Sequence, residues 1–226
     1  MESVGVHCTH VIVPVSHAGV APEHTESSVH ATAASEPTLP LGASMSAHRS
    51  LCAQDAHVFM DACTPVLAEL LVNGDFESNM TGWHEIQFDS ELISSQVPQA
   101  GTYGAWLGSY AQTATDELYQ DIAVPAGTTS LVLTGYSWVY TKEITTMNAY
   151  DLAYVSLATT TETTLETALT VTNLGATAAY VPFTHSFAVA AVAGASARFK
   201  LNSSSNASNY TNFFFDTFSL KATHCP

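Results

Sequence analysis

Basic residues are scarce in this 226-residue chain: five Lys+Arg stand against twenty Asp+Glu, giving a formal net charge of −15. A field of that sign repels phosphate backbones and anionic lipid, so nucleic acid and membrane surfaces are disfavoured as partners, and none of either kind is expected. Long apolar runs are absent too. No stretch of eighteen apolar residues occurs, so no membrane-spanning helix is expected. The apolar run Val11-Ile12-Val13-Pro14-Val15 has no Lys or Arg before it and is interrupted by flanking His10 and His17. That leaves an atypical export signal, a misplaced start or a fragment of a longer polypeptide as readings. Charged residues make up only 11% of the chain and hydrophobic ones 46%, so a packed core is expected beneath a surface of Thr, Ser and Asn.

Catalytic motifs are equally lacking. Gly42-Ala43-Ser44-Met45-Ser46 fails the nucleophile-elbow pattern at its last position. His84-Glu85-Ile86-Gln87-Phe88 opens like a zinc-protease helix, but Phe88 stands where a second His is required. There is no phosphate-binding glycine loop. The chain is therefore expected not to be an enzyme, although scattered acids leave a hydrolase with an unrecognised carboxylate pair as a remote alternative.

Four cysteines are present, Cys8, Cys52, Cys63 and Cys225, without a Cys-x-x-Cys pair or zinc-finger spacing. An even count in a chain with an exported composition favours disulfides over free thiols. If the domain's first and last strands are neighbours, Cys63 and Cys225 meet at its mouth. A Cys52–Cys63 loop is the competing pairing.

Residues 1–66 show no sustained periodicity and are rich in Ser, Thr, Ala, Pro and His, as in Glu23-His24-Thr25-Glu26-Ser27-Ser28. They cannot bury enough apolar area to offset their ordering entropy, which predicts a largely disordered tail. Seven of the ten histidines lie there, irregularly spaced, as expected of a solvated linker rather than a metal tract. Val58, Phe59, Ala62 and Val66 fall on one helical face, so a short helix over 55–71 is a further expectation, weakened by Pro65.

Residues 67–226 change character. Leu71-Val72 reads as a short buried strand, Asn73-Gly74-Asp75-Phe76-Glu77 as an acidic corner, and Trp83 as the start of the next strand. Strands are then expected over 83–88, 103–108, 118–124, 130–140, 151–157, 166–172, 180–190, 195–201 and 211–221. That spacing, about 8–12 residues, predicts an all-β antiparallel sandwich. Phe213-Phe214-Phe215-Asp216-Thr217-Phe218-Ser219-Leu220 reads as the closing strand and a spatial neighbour of the opening corner.

From Leu71 to Lys221 the chain resembles a family of secreted accessory domains with a galactose-binding-like jelly roll. These occur at the ends of bacterial extracellular peptidases and are akin to some carbohydrate-binding modules. Five motifs in order carry the resemblance: Asn73-Gly74-Asp75-Phe76-Glu77 with Gly82-Trp83; Ala105-Trp106-Leu107-Gly108-Ser109-Tyr110; Thr115 to Gln120 leading into Val124-Pro125-Ala126-Gly127; Tyr150-Asp151; and Phe215 to Leu220. The resemblance implies a structural calcium ion held between the opening corner and the closing strand, with Glu77 and Asp216 at the matching positions. The family often closes on two adjacent Asp, and here the first of those positions is Phe215. The alternative for Glu77 is a carboxylate that caps backbone N–H groups, and for Asp216 an ordinary exposed acid.

Trp106, Tyr110, Trp138 and Tyr140 are the expected ligand-binding residues, because sugars stack on aromatic faces and an alternating strand must point some of these rings outward. The alternative is that both tryptophans belong to the core. Together these features lead to the expectation of a secreted, extracellular, non-catalytic binding module, monomeric, that attaches an exported protein to carbohydrate or to a protein surface. The second expectation is a structural accessory domain with no small ligand.

Overall fold

The computed structural model describes residues 63–226. The expected tail, its histidines and cysteines 8 and 52 lie outside the described residues. The described chain is an all-β antiparallel sandwich of two sheets. One sheet contains β1 (Val66–Glu69), β3 (Ile93–Ser94), β4 (Gly104–Gly108), β6 (Thr128–Thr141), β9 (Val181–Ser186) and β11 (Thr211–His224). Its order is β3-β4-β11-β6-β9, with β1 beside the C-terminal end of β11. The other contains β2 (His84–Ile86), β5 (Ala114–Ala123), β7 (Leu152–Ala158), β8 (Thr164–Thr172) and β10 (Ser196–Ser205), in the order β2-β5-β10-β7-β8. We call them sheets A and B. From β4 onward the chain passes repeatedly between the two sheets, as a jelly roll does.

Alternation builds the core. Inward positions on β5 (Leu118, Ile122), β6 (Leu131, Leu133, Val139), β7 (Ala153, Val155, Leu157), β10 (Ala197, Phe199, Leu201) and β11 (Phe213, Phe215, Leu220) are buried. Alternate residues such as Tyr119, Val132, Tyr154, Lys200 and Phe214 face outward, because successive side chains of a strand point to opposite faces. Each fully buried Leu or Phe contributes roughly 1.5–3 kcal/mol by leaving water.

The closing strand departs from plain alternation at one point. The β11–β6 register slips between Asp216 and Ser219, and Thr217 takes φ 54°. This bulge buries both Asp216 and Phe218. The Phe218 ring lies 6.0 Å from Phe76, 5.3 Å from Phe199, 6.0 Å from Phe183 and 6.2 Å from Phe215. Its amide donates to the carbonyl of Gly74 at 2.8 Å. The opening corner and the closing strand are therefore neighbours, with Phe76 and Phe218 as the joint.

Two local expectations are corrected. Val66–Glu69 is a strand, so the helix expected over 55–71 does not extend into the described residues. β11 runs on to His224 and offers these residues a partner, and a paired sheet edge outweighs weak helical periodicity. Leu71-Val72 is not a strand. Leu71 is buried and Val72 exposed, and the Gln120 side chain stands in for a partner strand. It accepts from the Val72 amide at 2.7 Å and donates to the Val72 carbonyl at 2.9 Å. Cys63 and Cys225, just beyond the β1–β11 pairing, form a disulfide with Cα atoms 5.7 Å apart.

Candidate functional site

The two carboxylates expected to hold calcium grip one loop instead. Glu77 accepts the Thr102 amide on both oxygens (2.8 and 2.9 Å) and the Tyr103 amide at 2.9 Å. Those amides hold its carboxyl below the usual range. Asp216, fully buried rather than exposed, accepts the Gln99 amide at 2.7 Å and the Ala100 amide at 3.2 Å on one oxygen. Its other oxygen takes the amide of Thr217. Burial pushes the Asp216 carboxyl up, against the pull of these amides. Calcium needs six to eight oxygens around it. Here the groups facing both carboxylates are backbone N–H donors, with the Thr217 hydroxyl at 3.3 Å from Asp216 besides, and their hydrogens occupy the lone pairs a cation would use. The residues at this corner do not fit calcium; they fit the capping alternative, extended to both ends of the 99–103 loop.

The outer face of sheet A carries the expected aromatics. Trp106 on β4, Phe214 on β11 and Trp138 on β6 are direct cross-strand partners. Their ring centroids are 5.6 and 5.0 Å apart, tilted by 39° and 31°. Tyr180 extends the row, 5.8 Å from Trp138. Both tryptophans are half-buried and neither lies in the inter-sheet core. Each indole N–H is already used, by Asn212 Oδ1 at 2.9 Å for Trp106 and by the Thr177 carbonyl at 3.0 Å for Trp138. Only the ring faces remain for a ligand.

Trp138 stands between two rings, whereas Trp106 ends the row. Beyond it lie two hollows of about 150 and 500 Å³, and Trp106, Ser90 and Glu91 line both. Asp89, Gly108, Ser109 and Tyr110 complete the smaller one, while Ser94, Gln96 and Tyr103 contribute to the larger. Tyr110 is fixed there by its hydroxyl, which donates to Asp116 Oδ1 at 3.2 Å. Burial, with the charge of Asp116, pushes the Tyr110 phenol up to about 12, so it stays protonated. Asp116 is itself buried and accepts the Gly108 amide at 2.8 Å and the Phe88 amide at 3.1 Å.

Of the four expected ligand residues, the structure thus brings Trp106 and Tyr110 together. Trp138 sits two strands away in the same row. Tyr140 is exposed on the same sheet, under the Lys142 ammonium at 5.3 Å, and lines neither hollow. The residues that sequence reasoning missed are Asp89, Ser90 and Glu91, in the connection between β2 and β3. The polar run immediately after Phe88 was the available signal.

The outer face of sheet B was also unanticipated. Asn202 on β10 lies between Glu117 on β5 and Tyr154 on β7, with hollows of about 250 and 240 Å³ on either side. Tyr119 there is covered by Arg198, 3.8 Å from its centroid, and by the stacked His84 ring at 5.2 Å. Lys200 is tied to Glu162 at 2.8 Å and Glu117 at 3.1 Å. This face is occupied by its own ion pairs.

No protein-family model and no curated protein matches the chain. Among solved structures, TmCBM61 in complex with β-1,4-galactotriose is 14% identical, covers 68% of this chain and 97% of its own, and has a TM-score of 0.47. A family 16 carbohydrate-binding module-2 is 19% identical over 67% of this chain and 98% of its own, with a TM-score of 0.43. The K3 adhesin domain of Lys-gingipain from Porphyromonas gingivalis W83 is 14% identical over 69% of this chain and 99% of its own, with a TM-score of 0.45. Likenesses this distant carry no argument about ligand or activity, so the site stands on its own geometry.

Proposed function

We propose that this domain is a non-catalytic carbohydrate-binding module of an exported protein, and that a sugar ring stacks on the open face of Trp106. One observation carries the reading: Trp106 and Tyr180 end the aromatic row across sheet A, each with one ring neighbour, and Trp106 is the end that walls two adjoining hollows. A sugar's C–H face placed there continues the row. Ser90, Glu91, Ser94 and Gln96 stand around it with hydroxyl, carboxylate and amide groups that suit sugar hydroxyls. The Cys63–Cys225 disulfide supports an oxidising, extracellular setting. The same surface can attach the protein to a glycan on a cell or on another protein. The second reading, a structural domain without a small ligand, draws on the indole N–H groups already satisfied within the protein.

Calorimetric titration of the full chain with a panel of oligosaccharides separates the two. Trp106→Ala is expected to weaken binding by about tenfold or more, equivalent to about 1.4 kcal/mol. Trp138 is half-buried between two rings, and Trp138→Ala is expected to reduce stability more than affinity. Absence of binding to every oligosaccharide, or binding indifferent to Trp106→Ala, favours the structural reading.

A further inference from the structure

The charge around the Trp106 hollows narrows the class of sugar. We infer that the site takes a sugar bearing a primary ammonium, a glucosamine-type residue, with its amine between the carboxylates of Asp89 and Glu91 and its ring on the indole. This rests on the carbohydrate reading above and adds a ligand class to it.

Three observations converge. First, Trp106 lines both hollows, and an indole is the aromatic surface that best attracts a cation through its quadrupole. Second, Glu91 lines both hollows and Asp89 the smaller one; both are exposed, and no ion pair among the described residues involves either. Behind Tyr110 lies a third carboxylate, buried Asp116, whose bonding partners are all neutral: two amides, the Tyr110 hydroxyl and Ser203 Oγ at 3.4 Å.

Third, the described cations are elsewhere. Arg198 and Lys200 are held on sheet B by Asp121, Glu117 and Glu162. Lys142 sits over Tyr140, and Lys221 pairs in register with Glu69 on β1. Nothing positive lines either hollow. A uronate or sulfated sugar meets only repulsion there. A neutral sugar gains stacking and ordinary hydrogen bonds. An ammonium gains charge-assisted bonds to carboxylates as well, and these are roughly twice as strong as neutral ones. The chain's net charge of −15 draws such a ligand in from a distance.

The test compares three probes on the full chain at pH 6 and low salt: a glucosamine tetramer, its N-acetylated counterpart and a neutral glucose tetramer. The glucosamine tetramer is expected to bind about tenfold or more tighter than the other two. That advantage is expected to vanish in Asp89→Asn/Glu91→Gln and to shrink in 1 M salt, where charges are screened beyond about 3 Å. Both substituted side chains are exposed, so the melting temperature should hold. If the three probes bind equally, or the neutral ones better, this inference fails while the carbohydrate reading stands. If the advantage survives the double substitution, the amine binds at another acidic surface and the inference also fails. If none of the probes binds, the inference falls, and the wider oligosaccharide panel decides the carbohydrate reading beneath it.

Discussion

At residue scale, two carboxylates hold one loop, and the fold shifts their pKa values in opposite directions. The amides of Tyr103 and Thr102 lower the folded-state pKa of Glu77 from its ordinary 4.5. A depressed folded pKa adds stability that is present above 4.5 and is lost as pH falls through the folded value. Asp216 is the reverse: burial raises its folded pKa, so its ionisation withdraws stability as pH rises through that value. Glu77→Gln isolates the first effect. Wild type is expected to melt higher than the variant near pH 6, with the gap closing below about pH 4.5. A gap independent of pH would mean that the Glu77 charge does not hold the loop. Only part of this was legible in the sequence: capping of backbone N–H groups was an alternative for Glu77, and the burial of Asp216 was not foreseen. Glu77 and Asp216 stood out as acids in turn-like and strand-like contexts, but what faced them depended on the placement of residues 99–103, more than twenty positions from Glu77 and over a hundred from Asp216.

At the scale of elements, the long strands were legible, as were the short β2 and β4, whereas β1 and β3 were not. β5, β6, β10 and β11 each run ten residues or more, so their alternation stands out against noise. β1 has four residues and β3 two, too few for a period of two to be seen, and each exists because a longer strand lends it hydrogen bonds. The bulge at Thr217 was hidden as well: Phe213 to Leu220 looks like an unbroken strand, and only tertiary packing shows why Asp216 and Phe218 are both buried. Phe218→Ala tests that joint. Removing a ring that four other phenylalanines surround is expected to lower unfolding free energy by about 3–5 kcal/mol in denaturant titration. A loss below about 1 kcal/mol would show that the bulge, not the ring, joins the corner to the strand. Gly74 answers the same question from the other side. A Cβ there would lie 2.2 Å from the Phe218 carbonyl oxygen, so Gly74→Ala must displace the corner.

At the scale of the whole molecule, the disulfide closes the sandwich where the chain enters and leaves it. Cys63 and Cys225 are 162 positions apart, and the β1–β11 pairing brings them together. The sequence argument reached this pairing by treating the opening corner and the closing strand as neighbours. That held because Phe76 and Phe218 do meet. Replacing both cysteines with serine is expected to lower unfolding free energy by roughly 2–5 kcal/mol, chiefly by freeing the unfolded chain. Peptide mapping without reduction checks the bond itself, and a Cys52–Cys63 peptide with Cys225 free would contradict it.

The aromatic site was legible only in part. Trp106 and Tyr110 lie in one motif and stay together, but the acids facing them come from the β2–β3 connection, where no periodicity marks a function. The most direct test of the carbohydrate reading is a chemical-shift map of the full chain titrated with a binding oligosaccharide. The expected shifts centre on the Trp106 indole and the amides of Ser90, Glu91, Gly108 and Ser109, with Trp138 moving less. Shifts centred instead on Tyr154, Lys200 and Asn202 would place the ligand on sheet B and contradict the assignment of the site to Trp106.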